Sequence, residues 1–451
     1  MRRSIPLKTR TFPARRLIQA AAITAVAALT LSACSGRDTG SSSAGETSQN
    51  AESTAEQIVT MDDCIDYVAS PGITEDEILL GSTFPDSGPL ASIGETNRGM
   101  MAYFNYLNDT EGGLDGRKIT LVPRDDQYDA TRAVANVDEL LQKDNVFAIV
   151  GVQSSVGATS VWDTLNEQCI PLMMSTVSGS LLDDRLQRLN TLDGLVPYAA
   201  EAYALGQYAV DEWDSKKVAV IAQSGIFGES FLRGLETVLP ENNVEIAGIE
   251  TYQVTDPTVT AQITNLRATD ADTLIVVAAG TKCPQIFDAV EAAGWDPHIA
   301  TTFTCSNTTL MGLASPTAVD DVVSSTWLRQ REAGDAESDV YFEAVAKYFP
   351  DLNAGSENVA LGWAQGEAIV EILRQAPALT RLDVINSGLS MKDVEIPMAA
   401  DGVLLNTSAT DTMPIETVRI TRFDSGTMKW SVVEGDNSLV ELSGVLEKTD
   451  R

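Results

Sequence analysis

The sequence predicts an α/β protein of two lobes, each a parallel sheet flanked by helices, joined by a hinge of several chain segments. Three observations lead there. Past a basic leader and a polar tether, about 390 residues remain, more than one compact core of roughly 100–200 residues usually holds. Short β-rich runs alternate with longer runs of helical periodicity, the pattern of βαβ units and parallel sheets. That alternation runs to about residue 174 and restarts near residue 198.

The elements follow in order. ILLGSTF at 78–84 reads as a strand. At 97–107, Met100, Met101, Phe104 and Leu107 fall on one helical face, and the Gly-rich turn 111–116 ends the helix. Strands at 118–123, 146–150 and 170–174 alternate with helices at 129–141 and 155–167. The second series has helices at 198–213, 230–238, 260–268 and 286–293, with strands at 217–222, 244–253, 273–279 and 299–303. Residues 322–327 read as a segment crossing between lobes, and helices at 338–349 and 359–375 return to the first lobe. TVRITRFDSGTMKWSVV at 417–433 alternates about Asp424-Ser425-Gly426, a β-hairpin. The expected organisation is a Rossmann-like first lobe over 58–195, a second over 196–322, a return to the first over 323–400, and a hairpin and tail over 401–451, mostly with the second.

The N-terminus reads as a targeting segment. Arg2, Arg3, Lys8, Arg10, Arg15 and Arg16 precede the apolar stretch 17–33, and no acid interrupts them. The stretch ends in Leu31-Ser32-Ala33-Cys34, similar to a bacterial lipobox, which implies a signal peptide over 1–33 and a diacylglyceryl thioether on Cys34. The Arg15-Arg16 pair lacks the flanks of a twin-arginine signal. Residues 34–57 are Ser, Gly, Thr, Glu and Asn with little to bury, a composition expected of a disordered tether. The expected location is the outer face of the bacterial cytoplasmic membrane, held by lipid.

The chain carries a formal net charge of −33, and the excess grows once the six leader cations are removed. That argues against nucleic acid and anionic lipid surfaces as partners. Setting Cys34 aside leaves Cys64, Cys169, Cys283 and Cys305, an even number in an oxidising compartment. Cys283 and Cys305 each follow a strand, and neighbouring parallel strands bring such ends together, so these two are expected to pair. Cys64 with Cys169 follows by elimination. No Cys-x-x-Cys occurs, and with His298 the only histidine, neither a zinc site nor a Ser–His–Asp triad is expected. Asp125, Asp126 and Asp129 lack the calcium-loop pattern and read as surface and capping acids. No cofactor is implied.

In open parallel sheets ligands bind beyond the carboxyl ends of the strands. Here those ends are Phe84-Pro-Asp-Ser87-Gly-Pro89, Gly151-Val-Gln-Ser154-Ser155-Val-Gly157 and Ser175-Thr176-Val-Ser-Gly-Ser180. All are small and hydroxyl-rich, and two lead into a helix, where hydroxyls and free N–H groups receive a carboxylate or similar anion.

Residues 78–180 resemble the type I periplasmic binding proteins of ATP-driven importers, in the branched-chain amino-acid-binding subgroup. The carrying stretches are ILLGSTFPDSGPLASIGETNRGMMAYFNYLND, EGGLDGRKITLVPRDDQYDATRAV, VFAIVGVQSSVGATSV and CIPLMMST. KKVAVIAQSGIFGES and VTDPTVTAQITNLRATDADTLIVVAAG continue the likeness, which spans about residues 73–435. The resemblance implies a non-enzymatic protein, monomeric, that closes on a small polar solute (amino acid, amide or small organic acid) and delivers it to membrane permease subunits. It implies ligand contacts from Ser154, Ser155, Ser175 and Thr176, and an aromatic lid at Phe227, where the subgroup's amino-acid binders often carry Tyr. Those binders also place an acid after the strand at 273–279. This chain reads Gly280-Thr-Lys-Cys-Pro-Gln285 there, which leaves Gln285 to offer a neutral hydrogen bond. A ligand-sensing lipoprotein uncoupled from transport, and an extracellular hydrolase, are the alternative readings.

Overall fold

The computed structural model describes residues 57–331, 334–435 and 438–450. The leader, Cys34 and the tether up to residue 56 lie outside the described residues. Strands β1 (Glu77–Phe84), β2 (Lys118–Asp125), β3 (Ala148–Val150), β4 (Leu172–Ser175) and β5 (Thr191–Asp193) form the first sheet, in order β2-β1-β3-β4-β5, with every pair parallel. β1 and β2 stay in register from Glu77↔Lys118 to Phe84↔Asp125. β3 and β4 are buried along their whole length, as befits the middle of a sheet with helices on both faces. The helices of this part are α1 (Glu95–Thr110), α2 (Ala130–Gln142), α3 (Ser155–Glu167) and the short α4 (Leu182–Leu186).

Helices α5 (Tyr198–Trp213), α6 (Ile226–Glu241), α7 (Thr260–Arg267) and α8 (Lys282–Ala292) surround the second sheet, with short α9 (Thr308–Met311) and α10 (Pro316–Val319) on its periphery. Its strands are β6 (Lys217–Gln223), β7 (Glu245–Tyr252), β8 (Thr273–Val277), β9 (His298–Thr301), β10 (Val323–Thr326), β11 (Thr417–Asp424) and β12 (Lys429–Val432), in order β12-β11-β10-β9-β8-β6-β7. β7 to β10 are parallel. β11 runs antiparallel to β10, β12 and β13 (Leu439–Glu441), so this sheet is mixed at one edge. The segment expected to cross at 322–327 is instead the strand β10, hydrogen-bonded between β9 and β11. Its four side chains, Val323, Ser324, Ser325 and Thr326, are all buried, and only beyond it does the chain leave the second sheet.

The chain passes between the sheets at 194–197, at 327–329 and between residues 400 and 417. The second passage is braced by backbone bonds from Ala400 N to Trp327 O (2.9 Å) and from Arg329 N to Met398 O (3.0 Å). Helices α11 (Ala336–Tyr348) and α12 (Glu357–Gln375) come back to pack on α1. α12 approaches α1 backbone to backbone: a Cβ on Gly99 would strike Val359 O, and one on Gly362 would strike Thr96 O. α13 (Arg381–Gly388) lies against α12, and α14 (Leu446–Thr449) against α5 and α6. Disulfides join Cys64 to Cys169 and Cys283 to Cys305. Among the described residues, no helix is long and apolar enough to cross a membrane.

Candidate functional site

The carboxyl ends of the two sheets face each other across a narrow cavity. Most lining residues follow a strand or start a helix, so the topology that builds the sheets also gathers the site. From the first sheet come Thr96 after β1, Tyr128 after β2, Gln153 and Ser155 after β3, and Thr176 after β4. Tyr198 opens α5, Phe227 opens α6, Ala279 follows β8, Phe303 and Thr304 follow β9, and Asn358 lies at the start of α12. The polar lining side chains are hydroxyls and amides, and no carboxylate or cation is among them.

The polar side is held from behind. Gln153 Oε1 accepts from Thr176 Oγ1 (3.1 Å), and its Nε2 donates to Gln365 Oε1 on α12 (2.7 Å). Gln365 in turn donates to Gly194 O at 2.9 Å, linking this side to a passage between the sheets. The loop 176–180 is anchored by the buried pair Arg185–Asp193 (2.8 Å). Arg185 also donates to Val177 O (3.0 Å) and Ser180 O (3.2 Å), and Asp193 accepts from Ser178 Oγ (2.7 Å). The Tyr128 and Tyr198 hydroxyls both turn toward Ser155, and burial raises both phenols above their ordinary range. Gln127 and Tyr128 take left-handed backbone, φ 53° and 63°, a costly pair of conformations for residues with side chains. That turn brings Tyr128 over the site and toward Gln223 of the second sheet. Tyr198 and Phe227 rings meet at 4.6 Å.

The two halves meet on both flanks of the cavity. Asn307, beyond β9, donates to Glu95 Oε2 (3.1 Å) and Ser356 Oγ (2.9 Å), while Arg233 of α6 donates to Gly179 O (3.2 Å).

The structure brings Ser155, Thr176 and Phe227 to the cavity, and it places four other expected ligand contacts elsewhere. Ser154 is the N-cap of α3, its Oγ occupied by Gly157 N–H at 3.0 Å. Ser175 ends β4 facing inward, its Oγ accepting from Val152 N–H (3.1 Å) and facing Met173 O (3.3 Å). Ser87 turns to Asp125 Oδ2 (2.6 Å) and Gln127 Nε2 (3.0 Å). Gln285 lies on the exposed face of α8, its Oε1 accepting from Lys282 at 3.1 Å. Lys282 itself is turned to Asp256 O, so the turn after β8 offers the cavity only Ala279. The acids at 125–129 are explained locally. Asp125 accepts from Asp86 N–H, Asp126 from Thr83 Oγ1, and Asp129 caps α2. Among the described residues no cluster could hold a metal ion.

Sequence reasoning missed Tyr128, Gln153, Tyr198, Phe303, Thr304 and Asn358. The carboxyl-end rule applied to β2 points at Tyr128, and applied to β9 at Phe303 and Thr304. Tyr198 and Asn358 open helices whose only sequence signal is amphipathic periodicity.

Comparison with known proteins agrees with this architecture. "Leu/Ile/Val-binding protein homolog 7" of Brucella suis is 25% identical over 235 residues, 49% of this chain and 57% of the relative. "Amino acid binding protein" of Pseudomonas aeruginosa is 26% identical over 200 residues, 44% and 52% of the two chains. The chain thus spans about half the length of the curated relatives it matches. A Thermus thermophilus branched-chain amino acid ABC transporter structure with bound valine superposes with TM-score 0.73 at 16% identity, covering 83% of this chain and 99% of that one. A fatty acid ABC transporter substrate-binding protein from Thermomonospora curvata superposes with TM-score 0.72 at 20% identity, covering 84% and 96%. These two likenesses show the fold. The family described as Periplasmic binding protein matches residues 77–427, most of the described chain, and this chain belongs to that family.

Proposed function

We propose that this chain is the extracytoplasmic solute-binding component of an ABC importer, closing its two lobes on a small solute for delivery to membrane permease subunits. The carrying observation is the cavity itself: it lies between the carboxyl ends of two sheets, and its wall is divided between residues that separate when the halves part. Ser155, Thr176 and Gln153 offer neutral hydrogen bonds from one side, and Phe227 and Phe303 offer apolar surface from the other. Burying a solute there stabilises the closed arrangement, which is the form a permease can recognise. Relatives named for leucine, isoleucine and valine support an amino acid or a near analogue as the solute class. The sequence Leu31-Ser32-Ala33-Cys34 supports a lipid anchor on Cys34, with the polar tether holding the domain off the membrane. Palmitate labelling that survives Cys34→Ser would refute the anchor.

The function is tested by thermal unfolding of the purified protein against amino acids, amides and small organic acids. A solute at a hundred times its Kd adds about 2.7 kcal/mol, a clear rise in Tm. A flat response across the whole panel would refute solute binding.

A further inference from the structure

Behind the cavity lies a second, narrow pocket. The two share Leu195, Tyr198, Phe303 and Thr304, so the chamber is the site's inner end. Its wall is mostly apolar, including Val196, Trp327 and Val418, and it contains one acid, Glu201. Glu201 is 3% exposed. Its Oε1 accepts from Phe303 N–H and from Ser325 Oγ, both at 2.7 Å, while Oε2 has no hydrogen-bond donor among the described residues. No Lys, Arg or His among the described residues forms an ion pair with it.

A buried carboxylate without a counter-charge is costly, and the fold retains it where a ligand can reach it. Burial pushes its pKa up to about 7, with the two hydrogen bonds opposing. Tyr198 and Glu201 lie one turn apart on the same face of α5, since residues three apart are neighbours on a helix. Tyr198 reaches toward Ser155, and Glu201 lies about 4.5 Å further along the axis, at 1.5 Å per residue.

We infer that Glu201 is the counter-charge for a cationic group of the solute, and that the solute is elongated, with its cation set apart from the end held by Ser155 and Thr176. The inference rests on the solute-binding function proposed above. An α-amino acid carries its ammonium beside its carboxylate and falls short of Glu201 when that carboxylate is at Ser155. An ω-amino acid spans both chambers.

The test uses the full chain and measures Kd for 4-aminobutanoate, 6-aminohexanoate, 8-aminooctanoate, hexanoate and leucine, in the native protein and in Glu201→Gln. Glutamine keeps the acceptor for Phe303 N–H and Ser325 and removes the charge. The native protein is expected to prefer one of the ω-amino acids over hexanoate and leucine by about ten-fold or more, the worth of a hydrogen bond to a charged group. In Glu201→Gln that preference collapses. Equal affinity for 6-aminohexanoate, 8-aminooctanoate and hexanoate in the native protein overturns the counter-charge role, whatever the variant does. A preference for leucine over every ω-amino acid, lost in Glu201→Gln, keeps the counter-charge and overturns the elongated solute. Binding of none of these probes, with other solutes still raising the Tm, overturns the inference and leaves the proposed function standing.

Discussion

Asp193 and Glu201 lie on either side of the first passage between the sheets, both out of water, and the protein treats them in opposite ways. Asp193 ends the first sheet with both oxygens engaged, by Arg185, Ser178 and Leu195 N–H. Glu201 has one oxygen engaged and no cation. The first is a fastening that holds the loop carrying Thr176. The second is an unanswered charge on the wall of a chamber. Burial alone therefore does not identify a functional acid; its unmet partners do.

The largest effect is expected at the fastening. Arg185→Met leaves Asp193 buried without its partner and should cost about 3–5 kcal/mol, measured by denaturant unfolding. A loss under about 1 kcal/mol would erase the contrast between the two acids.

The next tests the unpaired carboxylates together. Burial raises Asp126 to about 6, Glu201 to about 7 and Glu367 to about 8. Between the ordinary carboxylate range and those values, the folded chain holds protons that the unfolded chain has released. Their stabilising contribution is complete below about pH 4.5 and is lost as pH rises through 6, 7 and 8. The ligand-free protein should lose stability between pH 5 and pH 8, about 2.5 kcal/mol of it through Glu201, a share that Glu201→Gln removes. A stability that climbs over this range would contradict the raised values.

The smallest effect is expected at two adjacent hydroxyls. Ser154→Ala removes a helix cap and should cost about 1 kcal/mol of stability, with solute affinity unchanged. Ser155→Ala should do the reverse, weakening solute affinity about ten-fold with little change in unfolding. Isothermal titration beside thermal melts separates the two. Equal behaviour of the pair would mean that the cavity wall is drawn one residue out of place.

Much of the fold was legible in the sequence, because burial imposes periodicity. The helices at 155–167 and 198–213 run over the expected residues, and β1, β2, β6 and β8 lie where their apolar runs lie. β5 went unread because three residues, Thr191–Asp193, are too few to show a period. β10 was read as a crossing because four residues, Val323–Thr326, are too few to show a strand period, and only its pairing with β9 and β11 places it in the second sheet. The site was less legible. Hydroxyl-rich loops mark where a ligand lies, yet a Ser that caps a helix and a Ser that faces the cavity are the same letter, and only the helix axis decides between Ser154 and Ser155. Gln285 was judged by its distance along the chain from a strand end, and the first turn of α8 rotates it outward. Tyr128 depends on a left-handed turn that its residue types do not announce.

The glycine at 280 carries a consequence for the working cycle. With φ +59° it meets the opposite half directly: a Cβ there would lie 2.7 Å from Pro89 O and 2.8 Å from Leu90 Cδ2. Any other residue would be a doorstop. A chain so altered could fold each half correctly and still admit a solute, but it would be unable to latch. In the importer role proposed above, such a cup would never seal, so a single methyl group would separate capture from delivery.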